Sequence, residues 1–379
     1  MVTEFLCRKS SLSICLVFAL AIFPYDALSL WYSLSFLVIV AVISILLNYK
    51  LVDFEYKLFL LMFFWFSFVL LWSYFMGDYD EYIMSQSNNY FQLFFFYVAF
   101  YSLLKRVDYY QVFSSPVFLL LCVSSVLVNI AFGRGGDGEF SPYMNFNTFL
   151  LFTSFFFFSN KASFRLRVCI SVVWFLIAFS LSDRASFLLI VFLMILTTYI
   201  TFTRFQMLCV IFFVICFPFF INYMDFSYLE KLYIIDQNSG IRGDFIRGAF
   251  DYLGDDFFWG VGFDEPYRSI DFDYIGHHEF LLKYENVMKI SNHNSVVDMM
   301  VKMGFIWLLL FFRFFYYSKR YVDYKLVQCM FFVSLVGISF DAWFENQYQL
   351  PILIFVLALI GVNKENFGGF NGLPSNRTS

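Results

Sequence analysis

Charge is what this 379-residue chain has least of. Asp, Glu, Lys and Arg together make up 14% of it, against roughly a quarter in soluble domains. An ordinary soluble globular fold is excluded on that ground. Histidine is scarcer still, with three residues, so few positions could host imidazole chemistry. The seven cysteines all fall in or beside apolar runs, and none has metal-ligand spacing. That argues against a disulfide framework and against Cys-ligated zinc. No internal repeat of fixed period is found, which argues against a transporter assembled from inverted halves. Arg8 and Lys9 precede the apolar stretch 11–23 in the manner of a signal peptide. No small-residue cleavage site follows it, so the stretch is expected to be a first helix.

Apolar sequence is what remains. The chain is 61% hydrophobic with a mean hydropathy of +0.71. Runs such as 58–76, 113–132 and 205–223 carry almost no charge. Crossing a bilayer takes about 20 mostly apolar residues in a helix, and one soluble core could not absorb so many runs. Phenylalanine supplies 59 residues, as in "SFFFFSN" and "FQLFFFY". Lipid accepts Phe as readily as Leu, so this bias satisfies span hydrophobicity and does not mark an aromatic binding motif. The expected fold is all-α, a polytopic integral membrane protein with about twelve spans, centred near residues 18, 39, 67, 97, 123, 151, 174, 195, 214, 305, 333 and 356.

Basic residues orient those spans. With the N-terminus inside, the inside segments hold fifteen of them, among them Arg8, Lys9, Lys105, Arg106, Arg204, Lys319 and Arg320. The short outside loops hold Arg134 and Arg184 alone. This is the bias of the positive-inside rule, from which long loops are exempt. The organisation expected is therefore helices one to nine over 1–223, a large periplasmic loop over 224–294, and helices ten to twelve with a short cytoplasmic tail over 295–379. The loop carries thirteen acids against six bases. Connections longer than about 15 residues are usually functional or disordered, and Tyr252, Phe257, Phe258, Trp259 and Tyr267 favour order.

Within the loop, "SGIRGDFIRGAFDYLGDDFFWGVGF" reads as an amphipathic helix running into a glycine-bounded turn. Ile241, Phe245, Ile246, Ala249, Phe250 and Leu253 share one face at helical spacing. Arg242 and Arg247 are five apart, about 140° around the helix, and would not clamp one small anion together. Either could pair with Asp244 or Asp251, or meet a phosphate in bidentate fashion. Arg184, in "LSLSDRASFLL", stands in a turn with little polar cover. It could snorkel and pair with Asp183, or serve a functional role.

His293, in "ISNHNSVVDMMVKMGF", is the acid/base candidate, since imidazole titrates near neutral pH. It could equally be structural at an exposed helix start, where Asn294 suits the N-cap. His293, His277 and His278 with Asp271 and Asp273 could surround a divalent ion, but their spacing fits no zinc pattern. Mid-span charges are few, chiefly Asp298, Lys302 and Arg313, and the first two form an i,i+4 pair that could neutralise itself.

In order, these pieces are "SDRAS" around Arg184, Arg242 eighteen residues before "GVG" at 260–262, and "HN" at 293–294 with Gly304 downstream. The combination resembles the bacterial O-antigen polymerase and ligase family. That family's pattern has Ser-Arg-Gly in the first turn, where this chain has Asp183 and Ala185 on either side of Arg184. The motifs cover roughly 180–305, and the first half matches in span character alone.

The resemblance implies a metal-independent, cofactor-free membrane glycosyltransferase in the bacterial inner membrane, active on the periplasmic face. Its donor would be an undecaprenyl-diphosphate-linked oligosaccharide, and a chain-length regulator would be a partner. Nucleic acid would play no part. Arg184, Arg242 and Arg247 would hold the diphosphate, His293 would take the acceptor hydroxyl proton, and Asn294 would support it. Polymerisation of lipid-linked repeat units is the favoured reading. A ligase passing glycan to lipid A-core is the alternative, and a polysaccharide transporter or flippase is the alternative of a different class.

Overall fold

The computed structural model describes residues 55–76, 80–106, 202–224, 237–263, 294–318, 325–340, 350 and 353–359, with isolated positions between 165 and 200. Among them, all regular structure is helical. Helix α1 spans Glu55–Met76, α2 Asp80–Arg106, α3 Arg204–Tyr223 and α4 Gln237–Leu253. A 3-10 turn, Gly254–Phe258, follows, and then α5 (Ser295–Ser318) and α6 (Lys325–Phe340). Residues 353–359 are also helical.

These elements fall where the hydropathy pattern puts spans near 67, 97, 214, 305, 333 and 356. Near 174 and 195 the isolated described positions are mostly helical. The spans expected near 18, 39, 123 and 151 lie outside the described residues. Two of the described helices are long and apolar enough to cross a membrane, Lys57–Met76 and Ser295–Phe314, and Phe205–Ile221 is a shorter apolar helix.

Helix α5 is the hub. It packs against α1, α3, α4, α6 and the 3-10 turn. Its large residues are sealed in, with Trp307, Leu308 and Phe311 fully buried. Rings mesh around it: Trp307 meets Tyr90 and Phe94 of α2, each at 5.9 Å and near edge-on. Such aromatic pairs add about 0.5–1.5 kcal/mol beyond area burial. Hydrogen bonds add fixed partners to this packing.

Those bonds are visible at two joints. A capping box starts α3: Thr203 Oγ1 accepts from the Gln206 N–H (3.3 Å) and Gln206 Oε1 accepts from the Thr203 N–H (2.8 Å). One residue earlier, the Gln328 carboxamide of α6 grips both sides of the Phe202 backbone, accepting its N–H and donating to its carbonyl, each at 3.0 Å. The first holds a helix end, and the second ties α6 to it.

Candidate functional site

The site begins with a break. Gly304 sits inside α5 at φ 79°, ψ 170°, a region closed to residues with a side chain. The i to i+4 ladder of an α-helix cannot run undisturbed through such a residue. Three carbonyls just before it receive donors from elsewhere in the chain. Val261 N–H reaches the Val301 oxygen at 2.7 Å, and Gly262 N–H reaches Lys302 at 3.2 Å. The indole N–H of Trp65, on α1, reaches Met303 at 2.9 Å.

The two backbones also touch. A Cβ on Gly260 would lie 2.5 Å from the Gly304 nitrogen and 2.8 Å from the Lys302 carbonyl. A Cβ on Gly304 would fall on the Phe258 carbonyl oxygen. Gly260 and Gly262 both have positive φ, so the turn needs glycine for its shape as well as for its fit. The "WGVG" turn is thus seated backbone to backbone on the broken helix. Trp259 stacks on Trp65 (5.4 Å, 15°) and covers the joint.

Leading into this turn, α4 is the amphipathic helix that its spacing indicates. Phe245, Ile246, Ala249 and Leu253 are buried, and Phe250 packs beside Phe219 of α3 at 5.2 Å. Ile246 and Ala249 form one cluster with Ile221 of α3 and with Val297 and Val301 of α5. Arg242 belongs to this helix, though its side chain lies outside the described residues, as does that of Ile241. Arg247 donates from Nη2 to the Met224 carbonyl at 2.7 Å. That carbonyl belongs to the residue capping the C-terminus of α3, where a cation is favoured by the helix dipole. Arg247 therefore has a structural task that the i,i+4 arithmetic does not suggest.

At the N-terminal end of α5, Asn294 is the N-cap that its residue type indicates. Its Oδ1 accepts from the N–H groups of Val296 (3.0 Å) and Val297 (3.1 Å). Its Nδ2 donates to the Ser339 carbonyl of α6 at 2.8 Å. The expectation of an exposed helix start is corrected here: Asn294 is 2% exposed and Ser295 fully buried. The cap is also a cross-link between helices, and burial follows from that second bond.

Asp298 and Lys302 are both buried on the same half-helix. Of the remaining sequence candidates, Arg184 and His293 lie outside the described residues, as do His277, His278, Asp271, Asp273 and Tyr267. Among the described residues, no three His, Cys, Asp or Glu side chains are grouped so as to hold a metal ion. Trp65 and Ser339 have no signature in the sequence. The break has one, because a lone glycine within an apolar helical pattern weakens the helix by about 1 kcal/mol relative to alanine.

No protein-family model matches the chain, and no curated protein sequence matches it.

Proposed function

We propose that this protein is a multi-pass glycosyltransferase of the bacterial inner membrane. It polymerises O-antigen repeat units carried on undecaprenyl diphosphate, and it works at the periplasmic face of about twelve spans. One observation carries the reading. The "GVG" turn and the helix headed by "HN", linked in the sequence only by their order, meet at Gly304 through the Val261 and Gly262 N–H groups. A functional unit made of those motifs requires such a meeting.

In this reading the acceptor sugar hydroxyl attacks the anomeric carbon and the lipid diphosphate departs. Arg184 and Arg242 stabilise the charge gathering on that leaving group, the kind of electrostatic contribution that is usually largest. His293 removes the hydroxyl proton. The next residue, Asn294, caps α5 and anchors it to α6. Arg247 contributes least, since its Nη2 already serves Met224. A transport path would call for buried ionisable groups on several helices. Among the described residues these are Asp298 and Lys302, both on α5.

The test is the lipopolysaccharide ladder of a strain lacking the protein, complemented with variants at equal membrane level. A single repeat unit on core in the deleted strain is expected, whereas polymer left on the lipid carrier would make it a ligase. His293→Ala should fail to restore the ladder, because loss of a general base costs about 10²–10⁴-fold. Arg242→Lys should fail nearly as badly as Arg242→Ala, since a point charge does not replace a bidentate fork. A full ladder from His293→Ala would remove the catalytic assignment.

A further inference from the structure

The segment 237–263 belongs by composition to the aqueous loop, yet the rings of Trp259 and Phe263 meet the middle of a bilayer-length helix. Lys57–Met76 is 20 residues long, about 30 Å at 1.5 Å per residue, which matches the hydrocarbon thickness. Trp65 and Phe66 stand at its centre. Trp259 stacks on Trp65, and Phe263 sets its ring edge-on to Phe66 at 5.9 Å. On α3, five residues short of Met224, Phe219 faces both Phe250 and Phe257. Phe257 in turn stacks on Phe305 of α5 at 5.1 Å.

The backbone there behaves as a dry one. Every N–H from Trp259 to Phe263 has a protein acceptor. Trp259 and Gly260 bond to the Asp256 carbonyl (3.1 and 2.7 Å), and Val261 and Gly262 bond to α5. Phe263 bonds to Ser73 Oγ at 2.9 Å. Irregular backbone survives at membrane depth only where protein satisfies it in this way, whereas a loop in water has no such need.

Phe258 and Trp259 are nevertheless more than half exposed. They continue an apolar stripe of α1 that includes Leu61, Phe64, Phe68 and Leu71, all exposed, with Phe68 packed 6.2 Å from Trp65. Just ahead of them, Asp255 and Asp256 are exposed acids.

From this we infer that residues 237–263 form a re-entrant element. It descends along α3, turns at "WGVG" within the hydrocarbon layer, and presents Phe258 and Trp259 to lipid acyl chains. The inference rests on the proposed reading of Lys57–Met76 as a span, and the test separates the two. Benzoylphenylalanine is placed singly at Phe64, Phe258, Trp259 and Asp255 of the full chain in native membranes. After irradiation, lipid adducts are measured by mass spectrometry.

Adduct yields at Phe258 and Trp259 comparable to Phe64, and several-fold above Asp255, are expected. Adducts at Phe64 with none at Phe258 and Trp259 would overturn the re-entrant element while leaving the span in place. None at Phe64 would remove the span, and the inference with it. Both test positions are exposed; should one substitution lower the protein level, the other carries the same comparison.

Discussion

Helices α1 and α5 look alike as sequence and are used in opposite ways. Each contains a 20-residue apolar stretch, but in the most apolar 18-residue window 28% of α1 is buried against 78% of α5. The outward residues of α1 are mostly apolar, among them Leu61, Phe64, Phe68, Leu71 and Trp72. The residues of α5 face protein nearly all round, and the helix carries the glycine break, the buried Asp298 and Lys302, and the Asn294 cap. Span hydropathy is thus met twice, while specific recognition is concentrated in one of the two. The helix at the hub is placed by polar bonds and close backbone contact as well as by apolar packing.

The sharpest way to break that contrast is at Gly304. Gly304→Ala would force a side chain into φ 79°, a strain of about 1–3 kcal/mol, and set its Cβ against the Phe258 carbonyl. Neither backbone can rotate away without losing the bonds from Val261 and Gly262. Membrane level and thermal stability of the purified protein should both collapse. A variant as stable as the parent would mean that the turn does not dock on α5.

Asn294→Ala comes next. It removes two cap bonds and leaves the Ser339 carbonyl without its cross-helix donor. A cap is worth about 1 kcal/mol and a buried orphan about 1–3 kcal/mol, so a loss of about 2–4 kcal/mol is expected in detergent unfolding. Asn294→Asp keeps the cap acceptor and loses the donor to Ser339. Equal stability of the Asp variant and the parent would show that the bond to α6 contributes nothing.

How much of this could be read in the sequence depends on the range of the signal. Helix positions were legible because long uncharged apolar runs mark helices, whatever they pack against. The face of α4 was legible from the spacing of Phe245, Ile246, Ala249 and Leu253, and Asn294 as a cap from its residue type. These are local regularities. The bond from Trp65 to Met303 joins residues 238 positions apart, and nothing in a Trp within an aromatic-rich run marks it as a donor. The burial of Asn294 depends likewise on a distant partner, Ser339, and so the exposed start was the natural misreading. The glycines at 260, 262 and 304 were visible as a motif, but their shared purpose, mutual contact, needed coordinates.

Trp65 is where the two helices meet, and Trp65→Phe should have an intermediate effect. The ring that covers Trp259 is largely kept, and the N–H that serves the Met303 carbonyl is lost. An orphaned part-buried carbonyl costs about 1–3 kcal/mol, and the lower end applies because a neighbouring N–H or a water can move in. A modest fall in melting temperature is expected, larger than for Trp65→Leu minus its stacking loss would allow if the indole donor were idle. No change at all in Trp65→Phe would reduce the contact to ring packing.

The smallest effect is expected on the outward face of α1. Phe64 is 65% exposed, and nothing the structure describes there asks for an aromatic ring. Phe64→Leu keeps a side chain that lipid accepts equally well, so stability should stay within about 0.5 kcal/mol of the parent, as for surface changes elsewhere. The matching change at the hub, Trp307→Leu, deletes a fully buried indole that meets Tyr90 and Phe94. Vacating such a volume costs about 3 kcal/mol or more when the site cannot collapse. The pair of variants measures the asymmetry directly, because both replace an aromatic by leucine in an apolar helix. If Phe64→Leu were as damaging as Trp307→Leu, α1 would have protein on both sides, and its apolar stripe would be an interface and not a lipid-facing surface.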